Sequence, residues 1–135
     1  PCKKLNLQSF FACSLLCGLV FGSFESVIYM LADIQRISSA GTGIVFKLIM
    51  IRMCTAVIIH TLCTGLSGIY IWSFRKKKVK ITPFIFAVFL HGLYNFFANQ
   101  EKPFYWFIIP VILFAAVECR IRYLDQKGNN KPLNT

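Results

Sequence analysis

The hydrophobic residues of this chain are grouped in four long blocks separated by short polar strips. The blocks cover residues 8–31, 48–74, 81–98 and 103–117. This grouping differs from the one-sided stripes of period 3.6 or 2 that are typical of half-buried helices and strands. Because about 20 residues, at about 1.5 Å each, cross about 30 Å of hydrocarbon, the blocks predict four transmembrane helices. The expected fold is an all-α, polytopic helical bundle in a membrane.

Composition and charge support a membrane protein and suggest its orientation. Hydrophobic residues make up 56% of the chain and charged residues 15%, against about 45–50% and about 25% in an average soluble protein. Most of the 15 Lys and Arg residues lie before the first block, between the second and third, and after the fourth. By the positive-inside rule, both termini are expected in the cytoplasm. The basic run at 75–80 is interpreted as a topology signal, so no nucleic-acid partner is expected.

The sequence indicates one membrane domain followed by a short tail. We expect a transmembrane domain over residues 1–124 and a disordered polar tail over 125–135. Because the chain begins with Pro1 instead of Met, we also expect that an N-terminal part precedes it. The six cysteines show no C-x-x-C or other metal-ligand spacing and are interpreted as small apolar residues.

Four polar residues inside the apolar blocks are the candidates for chemistry: Glu25, His60, His91 and Asn95. A charged side chain near the bilayer centre costs several kcal/mol, so such residues usually face the bundle interior and have a function. Counted along the helices at about 1.5 Å per residue, the depths of the four residues agree within about two turns. The sequence therefore predicts one intramembrane pocket formed by three helices.

On the first helix, the small residues predict which face packs against a neighbour. Gly18, Gly22 and Glu25 share one stripe at i, i+4 and i+7, and small residues let another helix approach closely. Tyr29 extends this face outward. Glu25 is therefore expected to face a neighbouring helix.

The second and third helices carry matching polar stripes. His60, Thr64 and Ser67 fall on one side of the second helix, and His91 and Asn95 share a face of the third at i, i+4. Each residue alone also has a structural interpretation, because a membrane His or Asn can simply bond two helices together.

The basic residues near these stripes leave further alternatives open. Glu25 alone could pair with Arg52 or Lys47. Arg52 itself either snorkels outward or pairs with a carboxylate in the pocket.

At these residues the chain resembles the PrsW family, which comprises intramembrane proteases related to the CAAX-prenyl endopeptidase and bacteriocin-processing superfamily. The resemblance is carried by residues 18–31 (GLVFGSFESVIYML), 52–71 (RMCTAVIIHTLCTGLSGIYI) and 89–97 (FLHGLYNFF). The positions that match the family's motifs are Phe21, Gly22, Glu25, Tyr29, Arg52, His60, Thr64, Gly65, His91 and Asn95.

The resemblance implies a glutamic-type or metal-assisted endopeptidase of the bacterial cell membrane that hydrolyses peptide bonds of membrane-associated proteins. It implies catalytic roles for Glu25, His60, His91 and Asn95, with Arg52, Tyr29 and Thr64 in support. The family's leading Glu-Glu-x-x-Lys motif is absent from these 135 residues. We expect this motif in the N-terminal part, where its carboxylates would activate water; otherwise the protein is an inactive relative.

The chemistry implied for the residues present follows the needs of peptide hydrolysis. Glu25 would orient or share the attacking water, and the two histidines would transfer protons or bind the tetrahedral intermediate. Asn95 would donate to the oxyanion.

Three other interpretations of the pocket stay open at this stage. Glu25, His60 and His91 could form a His₂Glu zinc set, although no H-E-x-x-H motif favours it. His60 and His91 could be axial ligands of a b-type haem. The pocket could also bind an ion, a proton or a lipid. No resident cofactor is the leading expectation.

Overall fold

The computed structural model is a helical bundle, and it describes residues 6–37, 42–75, 79–100 and 103–129. Its elements are the helices α1 (Leu7–Ile37), α2 (Thr42–Arg75), α3 (Thr82–Ala98) and α4 (Ile108–Gly128), with a 3₁₀ helix (Phe104–Phe107) immediately before α4. The described residues contain no strand. The prediction of an all-α bundle is confirmed.

Three stretches of the described residues are long and apolar enough to cross a membrane: Leu7–Leu31, Ile49–Arg75 and Phe104–Gly128. The third helix, α3, is also apolar but has only 17 residues, which extend about 26 Å at about 1.5 Å per residue. It therefore falls short of a hydrocarbon core of about 30 Å. Three of the four predicted spans have the required length, and a crossing by α3 stays a prediction.

Helix α2 is the centre of the bundle. It packs against α1, α3 and α4, and α3 also packs against α4 and the 3₁₀ helix. The core between these elements is almost fully buried and contains Ile59, Leu66, Leu90, Ile108 and Ala115. Large apolar side chains such as Phe24, Phe89 and Leu113 are exposed on the outside, as expected of a surface in contact with lipid.

The fourth helix ends later than predicted. Helix α4 continues to Gly128, so the first four residues of the polar tail expected from residue 125 are helical. Polar contacts accompany this end of the helix: Lys80 Nζ donates to Asp125 Oδ2 at 2.6 Å, and Asn129 Nδ2 donates to Asp125 Oδ1 at 3.1 Å. Residues 130–135 lie outside the described residues, so the remainder of the predicted tail stays a prediction.

A second carboxylate is buried in α4. Glu118 is 8% exposed, and its Oε1 accepts a hydrogen bond of 2.6 Å from Arg122 Nε one turn later. Because this charge is paired within its own helix, it needs no other partner. Glu118 is a structural charge and not part of the predicted pocket.

Candidate active site

Three helices bring Glu25, His60 and His91 together inside the bundle. The carboxylate of Glu25 on α1 contacts Nε2 of His60 on α2. The imidazole of His91 on α3 packs against that of His60, with 4.7 Å between the ring centroids. His60 is 8% exposed, so it lies at the centre of the group. The structure therefore places these three residues in one cluster, at the matched depth that the helix spacing predicts.

Glycines on α1 allow this contact. A Cβ atom added to Gly18 would lie 2.6 Å from the carbonyl oxygen of His60 and 2.7 Å from Cα of Thr61. At Gly22 it would lie 2.9 Å from Cα of Val57 and 3.0 Å from Cβ of His60. Any larger residue would push α1 away from the backbone of α2. The predicted small-residue face is therefore the face on which α1 meets α2.

Asn95 is joined to the cluster through His91. Its Nδ2 lies 3.1 Å from Nε2 of His91, one turn earlier on α3. When the amide donates this hydrogen bond, Nε2 of His91 is the acceptor and the imidazole proton is on Nδ1. Asn95 then fixes both the tautomer and the orientation of His91. The four predicted catalytic residues form a continuous chain from α1 to α3.

A small, partly enclosed pocket of about 20 Å³ lies on the Glu25 side of His60. Its wall includes three predicted residues, Glu25, Tyr29 and Arg52, together with Tyr94 and Asn95. Polar side chains at membrane depth usually face such a cavity, because hydrocarbon offers them no hydrogen bonds. A volume of about 20 Å³ holds about one water molecule, so this pocket is the place where water would be bound beside Glu25.

Arg52 is held in the pocket wall by two side chains. Its guanidinium lies over the ring of Tyr29, 5.0 Å from the centroid, and its Nη2 donates to Asn99 Oδ1 at 3.3 Å. The carboxylate of Glu25, for which Arg52 and Lys47 are the alternative partners, contacts His60 instead. Arg52 therefore brings a positive charge to the pocket and is oriented by an aromatic face and an amide.

Two pocket residues were missed in the sequence. Tyr94 is 2% exposed, and its hydroxyl lies 2.9 Å from Oγ1 of Thr55 on α2. Ser26 is 3% exposed, and its hydroxyl donates to the carbonyl oxygen of Met53 at 3.4 Å. Both residues directly follow or precede a predicted site residue, but on another helix face. The only signal in the sequence was their polarity within an apolar block.

Thr64, the remaining predicted supporting residue, lies on the opposite side of His60 from Arg52. It lines an open cleft together with Phe21, His60 and His91. The structure thus divides the predicted supporting residues between two cavities that share His60.

Residues 11–117 match the sequence profile of the family described as PrsW family intramembrane metalloprotease. The chain belongs to this family. No curated protein and no solved structure matches it. Together with the three long apolar helices, family membership identifies the chain as an integral membrane protein of the PrsW protease family.

The family's description implies a metal ion, and the side chains of the cluster do not fit one. Within the described ranges, no group of three or more His, Cys, Asp or Glu residues is arranged to hold a metal ion. The Glu25 carboxylate and Nε2 of His60 contact each other, and Nε2 of His91 faces Asn95. Since these atoms face other protein groups, the alternative zinc set of Glu25, His60 and His91 is not assembled in this arrangement.

The haem alternative is also at odds with the geometry. Two axial histidines bind iron from opposite sides of the porphyrin plane. Here the rings of His60 and His91 pack directly against each other, 4.7 Å apart between centroids. This leaves no room for a macrocycle between them.

Proposed function

We propose that this chain forms the membrane-embedded catalytic part of an endopeptidase that hydrolyses peptide bonds of membrane-associated proteins. The observation that carries the proposal is the chain of contacts from Glu25 through His60 and His91 to Asn95, across three helices. The PrsW family match supports the same reaction class. We further propose that both termini of the chain lie in the cytoplasm.

In this proposal, Glu25 and His60 act as one proton-accepting unit. A water molecule in the enclosed pocket donates a hydrogen bond to Glu25 and attacks the carbonyl carbon of the substrate. The proton it loses passes to the Glu25–His60 pair. When the C–N bond breaks, the pair returns this proton to the leaving amine. Such general acid–base catalysis contributes about 10²–10⁴-fold in rate.

At the other end of the chain of contacts from Glu25, His91 and Asn95 would stabilise the negative charge that develops on the carbonyl oxygen of the substrate. With Nε2 of His91 accepting from Asn95, its Nδ1–H is a donor for the oxyanion. The second N–H of the Asn95 amide is another donor. Donors that are fixed before the reaction cost no reorganisation in the transition state, and the loss of one typically costs about 10²–10³-fold in rate.

Arg52 and Tyr29 would act through the pocket and not on the reacting atoms. The Arg52 guanidinium, stacked on Tyr29, adds a positive charge to a cavity that also contains Glu25. We propose that this charge attracts and orients the water molecule that binds beside Glu25.

The test is cleavage by the full-length protein in lipid vesicles, with a library of synthetic single-span peptides and mass spectrometry of the products. We expect wild-type protein to cut a subset of the peptides. Glu25→Gln and His91→Ala are expected to reduce the rate by about 10²-fold or more. Asp125→Asn is the matched control, because this carboxylate lies at the end of α4 and bonds Lys80 and Asn129. It should cut at the wild-type rate.

Folding must be separated from chemistry in these variants. The amide of Glu25→Gln can still accept a hydrogen bond from His60, whereas Glu25→Ala cannot. We therefore expect near wild-type stability for Glu25→Gln, and a loss for Glu25→Ala of about 0.6–1.7 kcal/mol, the range measured for hydrogen bonds between membrane helices. Wild-type-like cleavage by both Glu25→Gln and His91→Ala would show that the proposed site is wrong.

A further inference from the structure

An open cleft lies on the other side of His60 from the enclosed pocket. Helix α2 forms its floor, Phe21 of α1 forms one wall, and Val88 and His91 of α3 form the other. We refer to it as the α1–α3 cleft. Its volume is about 300 Å³, at the lower end of the range of about 300–1,000 Å³ typical of ligand pockets. The cleft is continuous with the cluster, because His60 lines both cavities.

The floor of the cleft is polar, and its two exposed edges, which we call the rims, are apolar. His60, Thr64 and Ser67 follow one another along the floor at i, i+4 and i+7. On the rims, Phe21 is 57% exposed and Val88 is 59% exposed. The occupant that fits this pattern presents hydrogen-bonding groups to the floor and apolar groups to both rims.

The hydroxyl of Ser67 indicates which groups can form hydrogen bonds with the floor of the cleft. Its hydroxyl hydrogen is donated to the carbonyl oxygen of Cys63 at 2.9 Å, so the lone pairs of Oγ remain free to accept a hydrogen bond. A lipid acyl chain has no donor to offer. The N–H groups of an intact transmembrane helix are already bonded within that helix. An extended peptide segment, by contrast, has free main-chain N–H groups.

The spacing between Ser67 and His60 determines which residues of a bound extended peptide lie beside each of these two side chains. Seven residues of α-helix rise about 10.5 Å at about 1.5 Å each. An extended peptide covers the same distance in about three residues, at about 3.3 Å each. A peptide whose scissile bond lies at His60 therefore has a main-chain N–H beside Ser67 about three residues from that bond.

We propose that the α1–α3 cleft admits the substrate sideways from the lipid, as a locally extended transmembrane segment, and that Ser67 Oγ accepts its main-chain N–H about three residues from the scissile bond. The segment is apolar and contains glycines, because a helix unwinds more readily at glycine than at alanine. This inference rests on the proposed peptidase function and adds the substrate class and a specificity-determining residue.

The first test is photocrosslinking, which requires no catalysis. Benzoylphenylalanine replaces Val88 in the full-length Glu25→Gln protein, in vesicles with a labelled Leu/Ala single-span peptide that carries a central Gly-Gly pair. The control replaces Leu113, which is 62% exposed on α4, so the two probes are equally accessible to lipid. We expect adducts with the peptide at position 88, few at position 113, and fewer at position 88 with an otherwise identical peptide lacking the Gly-Gly pair.

Three results would overturn the proposal: equal yields at the two positions, adducts of position 88 with lipid alone, or adducts with a second copy of the chain. Cleavage of the same peptide by wild-type protein is measured in parallel. Crosslinking at position 88 without cleavage would refute the peptidase and leave the cleft assignment standing. Cleavage without crosslinking would refute the cleft and leave the peptidase standing.

The second test addresses Ser67. Ser67→Ala removes the acceptor, and N-methylation of the peptide three residues from the cleaved bond removes the donor. Each change is expected to lower kcat/KM about two- to tenfold, the worth of one neutral hydrogen bond. Combining them should cost no more than either alone, and Ser67→Thr should restore cleavage.

Ser23→Ala is the matched control for Ser67→Ala. It removes a comparable hydrogen bond, from Ser23 to the carbonyl oxygen of Leu19, on an exposed face of α1. It should leave kcat/KM unchanged. Additive losses for Ser67→Ala and the methylated peptide would contradict the proposed hydrogen bond.

Discussion

Replacing Gly18 with alanine is expected to separate α1 from α2 and so to weaken both the fold and the site. The added Cβ would lie 2.6 Å from the His60 carbonyl oxygen, 2.7 Å from Cα of Thr61 and 2.8 Å from Cβ of Thr64. None of these atoms is the end of a flexible side chain, so relief requires a shift of one helix. Glu25, two turns along α1, would move away from His60 with that shift.

Two opposing effects of Gly18→Ala set the expected change in the free energy of unfolding. Overpacking of a well-packed interface typically costs about 1–3 kcal/mol, and the contacts at Gly18 place it in the upper part of this range. The helix propensity of alanine returns about 0.5–1 kcal/mol. We therefore expect a net loss of about 1–2 kcal/mol in the free energy of unfolding, with reduced peptide cleavage.

The assay is unfolding of the purified full-length protein in mixed detergent micelles with increasing dodecyl sulfate, followed by circular dichroism. Gly92→Ala is the matched control, since a Cβ at Gly92 would meet nothing within 4 Å. It should be as stable as wild type or more stable by up to about 1 kcal/mol. Equal stability of Gly18→Ala and Gly92→Ala would refute the close approach of α1 to α2, and with it the position of Glu25.

Two further substitutions test the surroundings of the pocket in the same unfolding assay. Tyr94→Phe removes a buried hydroxyl that lies 2.9 Å from Thr55 Oγ1, and it should lower the free energy of unfolding by about 0.5–1.5 kcal/mol. If the double variant with Thr55→Val loses the sum of the two single-variant costs, the two hydroxyls are not coupled. Tyr105→Phe should be neutral or stabilising, because the Tyr105 hydroxyl is buried without a hydrogen-bond partner among the described residues and such a group is costly. A loss above about 1 kcal/mol in Tyr105→Phe would show that its hydroxyl does have a partner.

The sequence predicted the cluster because the rise of an α-helix is constant. Glu25, His60 and His91 were assigned to one depth by counting residues, and the structure brings them into contact. The stripe of Gly18 and Gly22 also predicted the correct face of α1. Periodicity and depth are local properties of each helix, so one sequence is enough to read them.

Contacts between distant residues could not be predicted in this way. Arg52 is oriented by Asn99, 47 residues later in the chain, and Lys80 stabilises the end of α4 through Asp125, 45 residues later. No spacing rule links such pairs. For the same reason, polarity alone predicts a disordered tail from residue 125, whereas Asp125 contacts Lys80, which lies just before α3.

The packing of the bundle and the chemistry of the site use the same helix faces. Lipid tails are as apolar as leucine, so membrane helices gain little from burying apolar surface against each other and depend on close packing and hydrogen bonds. In this chain, Gly18 and Gly22 provide the close packing, and the Glu25–His60 pair provides a polar contact at the same interface. A substitution at either kind of residue therefore affects stability and reactivity together. Only changes that keep the hydrogen bond and remove the carboxylate, such as Glu25→Gln, separate the two effects, which is why that variant is the decisive one for the proposed mechanism.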